Sequence, residues 1–253
     1  AGERPAVVGT GELARVAAVD ISPLAGHSVR RIECDLVALS GGWNPAVHLH
    51  SQARGTLRYD DTLATFVPDG TPSLMTSAGA ANGRFDLAGV LAEGHATGVC
   101  AAAQAGFPAG DRLAAPHAAP VAAGAPKPVW SVPARTRGAK RFVDWQNDVT
   151  VDDIALAARE GYQSVEHLKR YTTLGMGTDQ GKLSNIVGLA LLAEKLALPI
   201  PQVGTTTFRP PYTPVALGAF PGLEAGAHIE PTRFSAMHDW HVAHGARFVN
   251  AGL

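Results

Sequence analysis

The stretch that decides the fold spans residues 141–182 and reads RFVDWQNDVTVDDIALAAREGYQSVEHLKRYTTLGMGTDQGK. It contains two helices with predictable starts, because Thr150 and Ser164 are both good N-cap residues that precede helical patterns. The second of these helices is predicted to end at Gly175, and a third is predicted to begin at Ser184. Short capped helices separated by polar, glycine-containing loops predict a compact helical module. Loops of this kind at helix ends are a common way to hold a phosphate or the edge of a flavin.

Composition limits the classes of protein to which the chain could belong. With 253 residues, 46% of them apolar and 17% charged, it is long enough for one large globular domain or two small ones. A net charge of −1, without a dense lysine and arginine cluster, predicts no nucleic-acid partner. No apolar run is long enough to predict a membrane span, and the N-terminal residues do not resemble a signal peptide. We therefore expect a cytoplasmic protein in which Cys34 and Cys100 are reduced, a disulfide being the alternative.

The N-terminal third is predicted to contain strands. Residues 13–20 and 28–39 have the alternation and β-branched content of strands, and residues 63–68 form a shorter one. The second strand ends in the apolar run Leu36–Leu39, which is followed directly by Gly41 and Gly42. This pattern predicts either a buried strand that opens onto a ligand or a tight turn alone.

A glycine-rich turn at 78–83 precedes a helix that is predicted to start at Asp86. Free N–H groups at such a turn would suit a pyrophosphate, although a simple loop before a packed helix is the other interpretation. Residues 106–138 are rich in proline and alanine, which predicts an extended linker.

The motifs of the chain resemble those of one enzyme family, the alpha subunits of heterotetrameric sarcosine oxidase and their relatives. The resemblance rests on FVDWQNDVT, SVEHLKRYTTLGMGTDQGK and VGTTTFRPPYTPV, which begin at Phe142, Ser164 and Val203. It continues through CDLVALSGGWNPAVHL and AGAANGRFDLAGVLAEG upstream and PTRFSAMHDWHVAHGARFVNAGL downstream, so it extends along nearly the whole chain. It implies an α/β fold that begins with a partial two-dinucleotide-binding lobe. A small mainly helical domain follows, and then the truncated start of an α+β folate-binding domain.

On this plan the chain is expected to be an internal fragment with four regions. Residues 1–105 resemble the C-terminal part of a dinucleotide-binding region, and residues 106–138 are the linker. Residues 139–222 resemble a two-iron two-sulfur domain that lacks its cysteines. Residues 223–253 resemble the beginning of an aminomethyltransferase-like folate domain.

The resemblance implies an NAD site near the glycine-rich turn, with contacts at Ala80, Phe85 and Leu87. Phe85 and Leu87 could offer NAD only backbone or apolar contact. The Rossmann fingerprint G-x-G-x-x-G is missing from this sequence.

The resemblance also implies positions where cluster-binding relatives have four cysteines. Those positions are occupied here by Asp144, Gln146, Asp179 and Ser184. None of these side chains is a competent ligand for an iron–sulfur cluster, so we predict no cluster. His238, His241 and His244 have helical spacing, but nothing in the sequence completes a ligand set, and we predict no metal site.

Loops of the helical module, which are predicted to hold no cluster, are predicted instead to form one wall of an FMN site. The residues concerned offer hydroxyl, amide or cationic groups, and they are Thr173, Thr178, Gln180, Lys182, Thr206 and Arg209. The alternative is a solvated network in which threonines cap helices while Lys182 and Arg209 pair with Asp179 and Glu194.

The implied function is that of a sarcosine oxidase-type oxidoreductase complex, which converts sarcosine to glycine. The one-carbon unit would pass to tetrahydrofolate in a further C-terminal domain, and dioxygen would be reduced to hydrogen peroxide. NAD would bind this subunit, FAD a beta subunit and FMN the interface between them, with gamma and delta subunits completing the complex. We assign no catalytic residue to the chain and expect the fragment alone to be inactive. Two alternatives stay open: a subunit of an opine, proline or cyanide-forming glycine dehydrogenase complex, and a non-catalytic interaction fragment.

Overall fold

The computed structural model of the chain divides into two units, Ala1–Tyr212 and Thr213–Leu253. Parts of the predicted first strand, of the linker and of the 223–253 region lie outside the residues that the structure describes. The described residues are 3–10, 15–24, 29–70, 75–107, 114–121, 124–134, 138–229 and 232–249.

The first unit begins with a three-stranded antiparallel sheet, β1 (Glu3–Thr10), β2 (Arg15–Pro23) and β3 (Arg30–Glu33), in the order β1-β2-β3. The predicted strand at 13–20 is thus confirmed over residues 15–20, and the one at 28–39 only over residues 30–33. The prediction that the second strand continues as a buried run to Leu39 is wrong. Leu36 and Leu39 lie outside any strand and are 76% and 73% exposed. Pairing with β2 ends at Cys34, whose N–H donates to the Ala17 carbonyl, and an apolar run without a partner strand does not form a ladder.

A short helix and a hairpin follow. Helix α1 (His48–Gln52) leads into β4 (Thr56–Asp60), which pairs antiparallel with β5 (Thr65–Asp69). The predicted strand at 63–68 is confirmed as β5, whereas β4 was not predicted.

Helix α2 (Leu87–Gln104) starts where the sequence predicts. Asp86 is its N-cap, and the Asp86 carboxylate accepts a hydrogen bond of 2.7 Å from the Gly89 N–H. The glycine-rich turn before it is a 3₁₀ helix at Gly79–Asn82. Beyond α2, the described residues between Phe107 and Arg141 form neither helix nor strand.

The helical module begins with a two-stranded hairpin, β6 (Phe142–Asp144) and β7 (Val149–Thr150). Thr150 and Ser164 act as N-caps, as predicted, and Thr150 forms a capping box with Asp153. The second helix ends at Thr172 rather than Gly175, because Thr173 already adopts a left-handed conformation with φ +64°. The helices are α3 (Val151–Arg159), α4 (Val165–Thr172), α5 (Asn185–Leu196) and α6 (Ile200–Val203).

One hydrophobic core joins residues from both sides of the linker. Phe66 of β5 belongs to the same buried cluster as Ile154, Leu168 and Leu192 of the helical module, and Leu57 packs against that cluster. The hairpin β4–β5 is therefore part of the helical module in space, although the linker separates the two in sequence. The fold combines helices with small antiparallel sheets, which confirms the mixed α and β character that the sequence predicts.

The second unit contains little regular structure among its described residues. It has 3₁₀ stretches at Leu217–Ala219 and Leu223–Ile229 and one short helix, α7 (His238–Ala243). Across the described parts of both units, no helix combines the length and the apolar character needed to cross a membrane.

Candidate functional site

Asp144 is a buried carboxylate at the end of β6 that joins three segments of the helical module. Its side chain is 2% exposed. One carboxylate oxygen accepts a hydrogen bond from the Gln146 N–H at 2.9 Å. The other accepts from the Gly175 N–H at 2.7 Å and from the Ser184 hydroxyl at 3.5 Å. The carboxylate thus ties the β6–β7 turn to the loop after α4 and to the start of α5.

The four positions that resemble cluster ligands are engaged with the chain itself. Besides the Asp144–Ser184 contact, the Gln146 side-chain oxygen accepts from the Thr178 hydroxyl at 3.2 Å, and Asp179 accepts from the N–H of Gly181 at 3.0 Å. This donor set contains no thiolate, so it does not fit an iron–sulfur cluster. In the part of the chain that the structure describes, no group of three or more His, Cys, Asp or Glu side chains could hold a metal ion.

Gln180 holds the loop that follows α6. Its side-chain amide donates to the carbonyls of Arg209 and Pro211 at 2.8 and 3.1 Å, while its side-chain oxygen accepts from the Arg209 N–H at 2.8 Å. The backbone of Gln180 has φ +53°, an uncommon conformation for a residue with a side chain. Three hydrogen bonds from one side chain fix the 209–211 backbone against the loop that carries Lys182.

Asn185, at the start of α5, makes a second connection between these loops. Its side-chain N–H groups donate to the Gln180 carbonyl and to the Thr206 hydroxyl, both at 3.0 Å. Thr206 is buried. Gly175 and Gly181 have φ +67° and +74°, and a β-carbon at either would collide with the Asn185 side chain. Glycine is required at both positions, because only glycine meets this backbone conformation and this close approach.

An aromatic and cationic cluster lies beside these loops. The His48 and Tyr212 rings are stacked, with centroids 3.7 Å apart and planes 1° from parallel. The Lys182 ammonium lies 4.0 Å from the centroid of the Tyr212 ring, within the range of a cation–π interaction. Phe208 meets the edge of Tyr212 at 5.0 Å. We name His48, Lys182, Phe208 and Tyr212 the Tyr212 cluster.

Two side chains of the Tyr212 cluster have shifted pKa values. Burial lowers the pKa of His48, and the nearby charge of Lys182 lowers it further. Burial raises the pKa of Tyr212. Both shifts favour uncharged rings at neutral pH, so Lys182 carries the cluster's positive charge.

The structure sorts the six residues predicted to face a flavin into three pairs. Gln180 and Thr206 are committed to hydrogen bonds within the loops, as described above. The Lys182 ammonium lies over the Tyr212 ring. The side chain of Arg209 is exposed, and Gln180 holds the Arg209 backbone. The remaining two, Thr173 and Thr178, are exposed.

The alternative ion pairs are not found. Among described residues, Lys182 is not paired with Asp179, and the carboxylate of Glu194 pairs with Lys195 at 3.5 Å rather than with Arg209. His48 and Tyr212 were missed at the sequence level. Two of the quoted motifs contain them, but nothing in the sequence shows that their rings stack.

The predicted NAD contacts lie around the turn before α2. Ala80, Phe85 and Leu87 are all exposed, Phe85 at 38% and Leu87 at 64%. Some of the backbone N–H groups that the sequence predicts to be free at this turn already donate hydrogen bonds. Asp86 accepts from Gly89, and the carboxylate of Glu93 accepts from the Gly79 N–H at 2.8 Å. Two carboxylates at the turn fit a negatively charged pyrophosphate poorly.

The three histidines with helical spacing lie on or next to α7 in the second unit. The ring of His244 stacks on Trp240 with a centroid distance of 4.0 Å, and its Nδ1 lies 2.7 Å from the Trp240 carbonyl oxygen. The His238 ring lies between Phe234 and Phe248. These rings pack against aromatic neighbours.

Comparison with known proteins identifies the helical module. Residues 138–224 match the sequence pattern of the sarcosine oxidase A3 domain. Three curated relatives are all described as sarcosine oxidase subunit alpha. Two are from Corynebacterium: strain P-1 (45% identity over 88% of this chain) and strain U-96 (44% over 96%). The third is from Rhizobium meliloti strain 1021 (41% over 90%). This chain covers 24%, 26% and 23% of their respective lengths, so it spans about a quarter of each.

A solved structure shares the fold. The crystal structure of L-proline dehydrogenase from P. horikoshii superimposes with a TM-score of 0.58 over 83% of this chain and 42% of that chain. The two sequences are 19% identical, so the similarity concerns the fold alone.

Proposed function

Since the chain belongs, over the stretch they share, to the family of sarcosine oxidase alpha subunits, we propose that it serves in a sarcosine oxidase-type complex. The complex would oxidise sarcosine to glycine. It would pass the one-carbon unit to tetrahydrofolate and reduce dioxygen to hydrogen peroxide. The amine would be oxidised at FAD on a beta subunit, and gamma and delta subunits would complete the assembly. In this proposal the chain contributes binding and positioning groups and no catalytic residue.

The contribution of this chain would be one wall of an FMN site at the interface with the beta subunit. The observation that carries this proposal is the placement of Lys182 and Arg209. Both lie on loops of the A3 domain that Gln180 ties together, and neither forms an ion pair with a described residue. The Lys182 ammonium over the Tyr212 ring and the exposed Arg209 side chain, whose residue follows Phe208 in sequence, fit a flavin, which has an anionic phosphate and a planar ring system. FMN, when bound, would supply electron transfer to dioxygen.

Each predicted flavin-side residue then has a distinct role. Lys182 and Arg209 would bind the anionic groups. The hydroxyls of Thr173 and Thr178 are exposed but donate to the Thr172 carbonyl and to the Gln146 side chain, so each would have to exchange that hydrogen bond to reach a flavin. Gln180 and Thr206 would act through the loops that they hold. NAD binding near Ala80, Phe85 and Leu87 stays a prediction, and contact there would use apolar surface rather than the partly occupied N–H groups.

The proposal is tested with the polypeptide as its gene encodes it, assembled with its partner subunits. We expect sarcosine-dependent hydrogen peroxide formation and a flavin absorbance spectrum, with L-proline as the comparison substrate. Failure of the assembled complex to oxidise sarcosine would contradict the proposed activity, and oxidation of L-proline instead would favour the dehydrogenase alternative.

The flavin wall is tested separately by Lys182→Met and Arg209→Met. Charge-assisted hydrogen bonds contribute about 1.5–3 kcal/mol, so each substitution should weaken FMN retention by about tenfold or more. Lys195→Met is the matched control, because Lys195 is partly exposed and pairs only with the neighbouring Glu194 among described residues. If both variants retain FMN as well as the control while oxidation persists, the wall lies elsewhere although the activity stands.

A further inference from the structure

Helix α1 contacts the segment 208–212, which follows α6, at two points. His48 and Gln52 are four residues apart and therefore lie on the same face of this helix. The His48 ring stacks on the Tyr212 ring with a centroid distance of 3.7 Å. The Gln52 side-chain N–H donates to the Phe208 carbonyl at 3.3 Å, although these two residues are 156 positions apart in sequence. One short helix thus holds both ends of the segment.

Gln180 holds the same segment through other residues. Its side chain bonds the backbone of Arg209 and Pro211, whereas α1 contacts Phe208 and Tyr212. The two sets of contacts do not compete, because they use different residues of the segment. With its backbone fixed in this way, the segment exposes the Arg209 side chain.

The His48 imidazole meets Tyr212 with its flat ring surface. Its Nδ1 atom is buried and has no hydrogen-bond partner among the described residues. Burial and the charge of Lys182 lower the pKa of His48, which favours the uncharged ring at neutral pH. An uncharged ring can pack against Tyr212 without repelling an ammonium nearby.

The Tyr212 ring in turn lies beneath the Lys182 ammonium. The Lys182 Nζ atom is 4.0 Å from the ring centroid, which is a cation–π distance. No ion pair with a described carboxylate fixes this ammonium. Tyr212 cannot turn while His48 is stacked on it, because the edge of the phenol ring would enter the imidazole. His48 therefore sets the plane of the ring on which the ammonium rests.

We propose that His48 is a positioning residue, which fixes the Lys182 ammonium through the Tyr212 ring. His48 acts through these two side chains and is not a catalytic residue. The use of this arrangement by a flavin rests on the function proposed above, in which Lys182 binds an anionic group. The placement of Lys182 does not rest on that function.

Acylation of Lys182 tests the proposal in the full polypeptide as its gene encodes it, without added flavin. An N-hydroxysuccinimide ester modifies lysine amines, and mass spectrometry of the digested protein gives the rate at each lysine. His48→Leu removes the flat ring but keeps an apolar side chain, whereas His48→Phe keeps a flat ring.

We expect Lys182 to react about threefold or more faster in His48→Leu than in the unsubstituted polypeptide, because the cation–π contact that shields the ammonium is lost. In His48→Phe it should react at the unsubstituted rate. Lys195 in the same digest is the control, since among described residues it pairs only with Glu194, and its rate should be equal in all three proteins.

Two outcomes would overturn the proposal. One is an unchanged Lys182 rate in His48→Leu, and the other is a rate in His48→Phe that rises as much as in His48→Leu, because the ring plane then has no role. The unsubstituted polypeptide provides a measurement that needs no variant. Lys182 should react more slowly there than Lys195, and equal rates would contradict the proposal even if the His48 variants failed to fold.

FMN retention by the assembled complex shows whether this positioning serves a flavin. Because His48 acts through Lys182, His48→Leu should weaken retention about threefold or more and have little further effect in a Lys182→Met background. Equal losses in both backgrounds would indicate a general structural role for His48 and would contradict the proposal. If Lys182→Met itself leaves retention unchanged, the flavin wall is wrong, and the acylation rates alone decide whether His48 positions Lys182.

Discussion

The carboxylate of Asp144 shows how one side chain can organise several loops. It accepts hydrogen bonds from Gln146, Gly175 and Ser184 while it is almost completely buried. A carboxylate has no donor, so it suits a position where several N–H and O–H groups converge. An amide at the same position would turn an N–H group towards one of these donors.

We therefore expect Asp144→Asn to destabilise the protein by about 1–3 kcal/mol, because a buried backbone N–H loses its acceptor. The free energy of unfolding in urea measures this. Asp148→Asn is the control in the same turn, since Asp148 is exposed and has φ +53°, a conformation that asparagine tolerates. Equal stabilities of the two variants would show that the Asp144 hydrogen bonds contribute little.

The His48 ring reports on the charge of Lys182. Because burial and Lys182 both lower the pKa of His48, Lys182→Met should raise that pKa, and the burial that remains should keep it below the ordinary value. Titration of the His48 ring protons by NMR measures the change, and His167→Gln, at an exposed ring, is the control that should leave it unaltered. If Lys182→Met leaves the pKa of His48 unchanged, the Lys182 ammonium does not lie near His48 in solution.

The same shift makes stability depend on pH. The unfolded chain binds a proton at His48 more readily than the folded chain, so protonation favours unfolding. The stability that the neutral ring contributes is present in full above the ordinary imidazole pKa of about 6.5 and is lost as the pH falls through the folded-state pKa.

At the residue scale, sequence alone could identify chemical groups but not their partners. It drew attention to Gln180, Lys182, Thr206 and Arg209 as a polar set. It could not show that Gln180 bonds the backbone of Arg209, because the two residues lie 29 positions apart and meet only after the loops fold. Hydrogen bonds between distant loops leave no local pattern in the chain.

At the scale of elements, helix α5 depends on a glycine. Gly188 faces the side chain of Leu174, which is 1% exposed, and a β-carbon at this position would collide with it. In an exposed helix, by contrast, alanine is more favourable than glycine by about 1 kcal/mol.

We expect Gly188→Ala to destabilise the protein by about 1–3 kcal/mol, because Leu174 would have to shift within a packed core. Gly98→Ala in α2 is the matched control, since no atom lies within 4 Å of the added β-carbon. Thermal unfolding of both variants measures the difference. A stabilised Gly188→Ala variant would mean that Leu174 moves freely.

Elements with local signals were predictable, and elements that depend on a partner were not. Thr150, Ser164 and Asp86 mark helix starts because capping is a contact between near neighbours in sequence. Strand β4 was missed because its alternation rests on only two apolar residues, Leu57 and Tyr59, and the strand depends on pairing with β5. The apolar run at 36–39 resembled a strand but has no partner beyond Cys34 among the described residues.

At the scale of the molecule, the hairpin β4–β5 and the helical module share a core within the first unit. Phe66 is 9% exposed and packs in the cluster that contains Ile154. We expect Phe66→Ala to destabilise the helical module by about 3–5 kcal/mol, because truncation of a buried phenylalanine leaves a cavity. Leu36→Ala, at a side chain that is 76% exposed, should have little effect.

Denaturant unfolding, monitored by tryptophan fluorescence and by circular dichroism, tests this prediction. The two signals should shift together in the Phe66→Ala variant, as expected for one cooperative unit. A helical module that keeps the parent stability after Phe66→Ala would show that the hairpin folds separately.

The shared core gives the linker a particular meaning. Because Phe66 and Leu57 on one side of the linker pack with Ile154 on the other, the covalent connection is not what keeps hairpin and helices together. A protease cut between Ala114 and Pro120, where described residues have no regular structure, should leave two fragments that copurify and dissociate only in denaturant. Expressed as separate polypeptides, the two pieces should reconstitute the native module by complementation, as split proteins do.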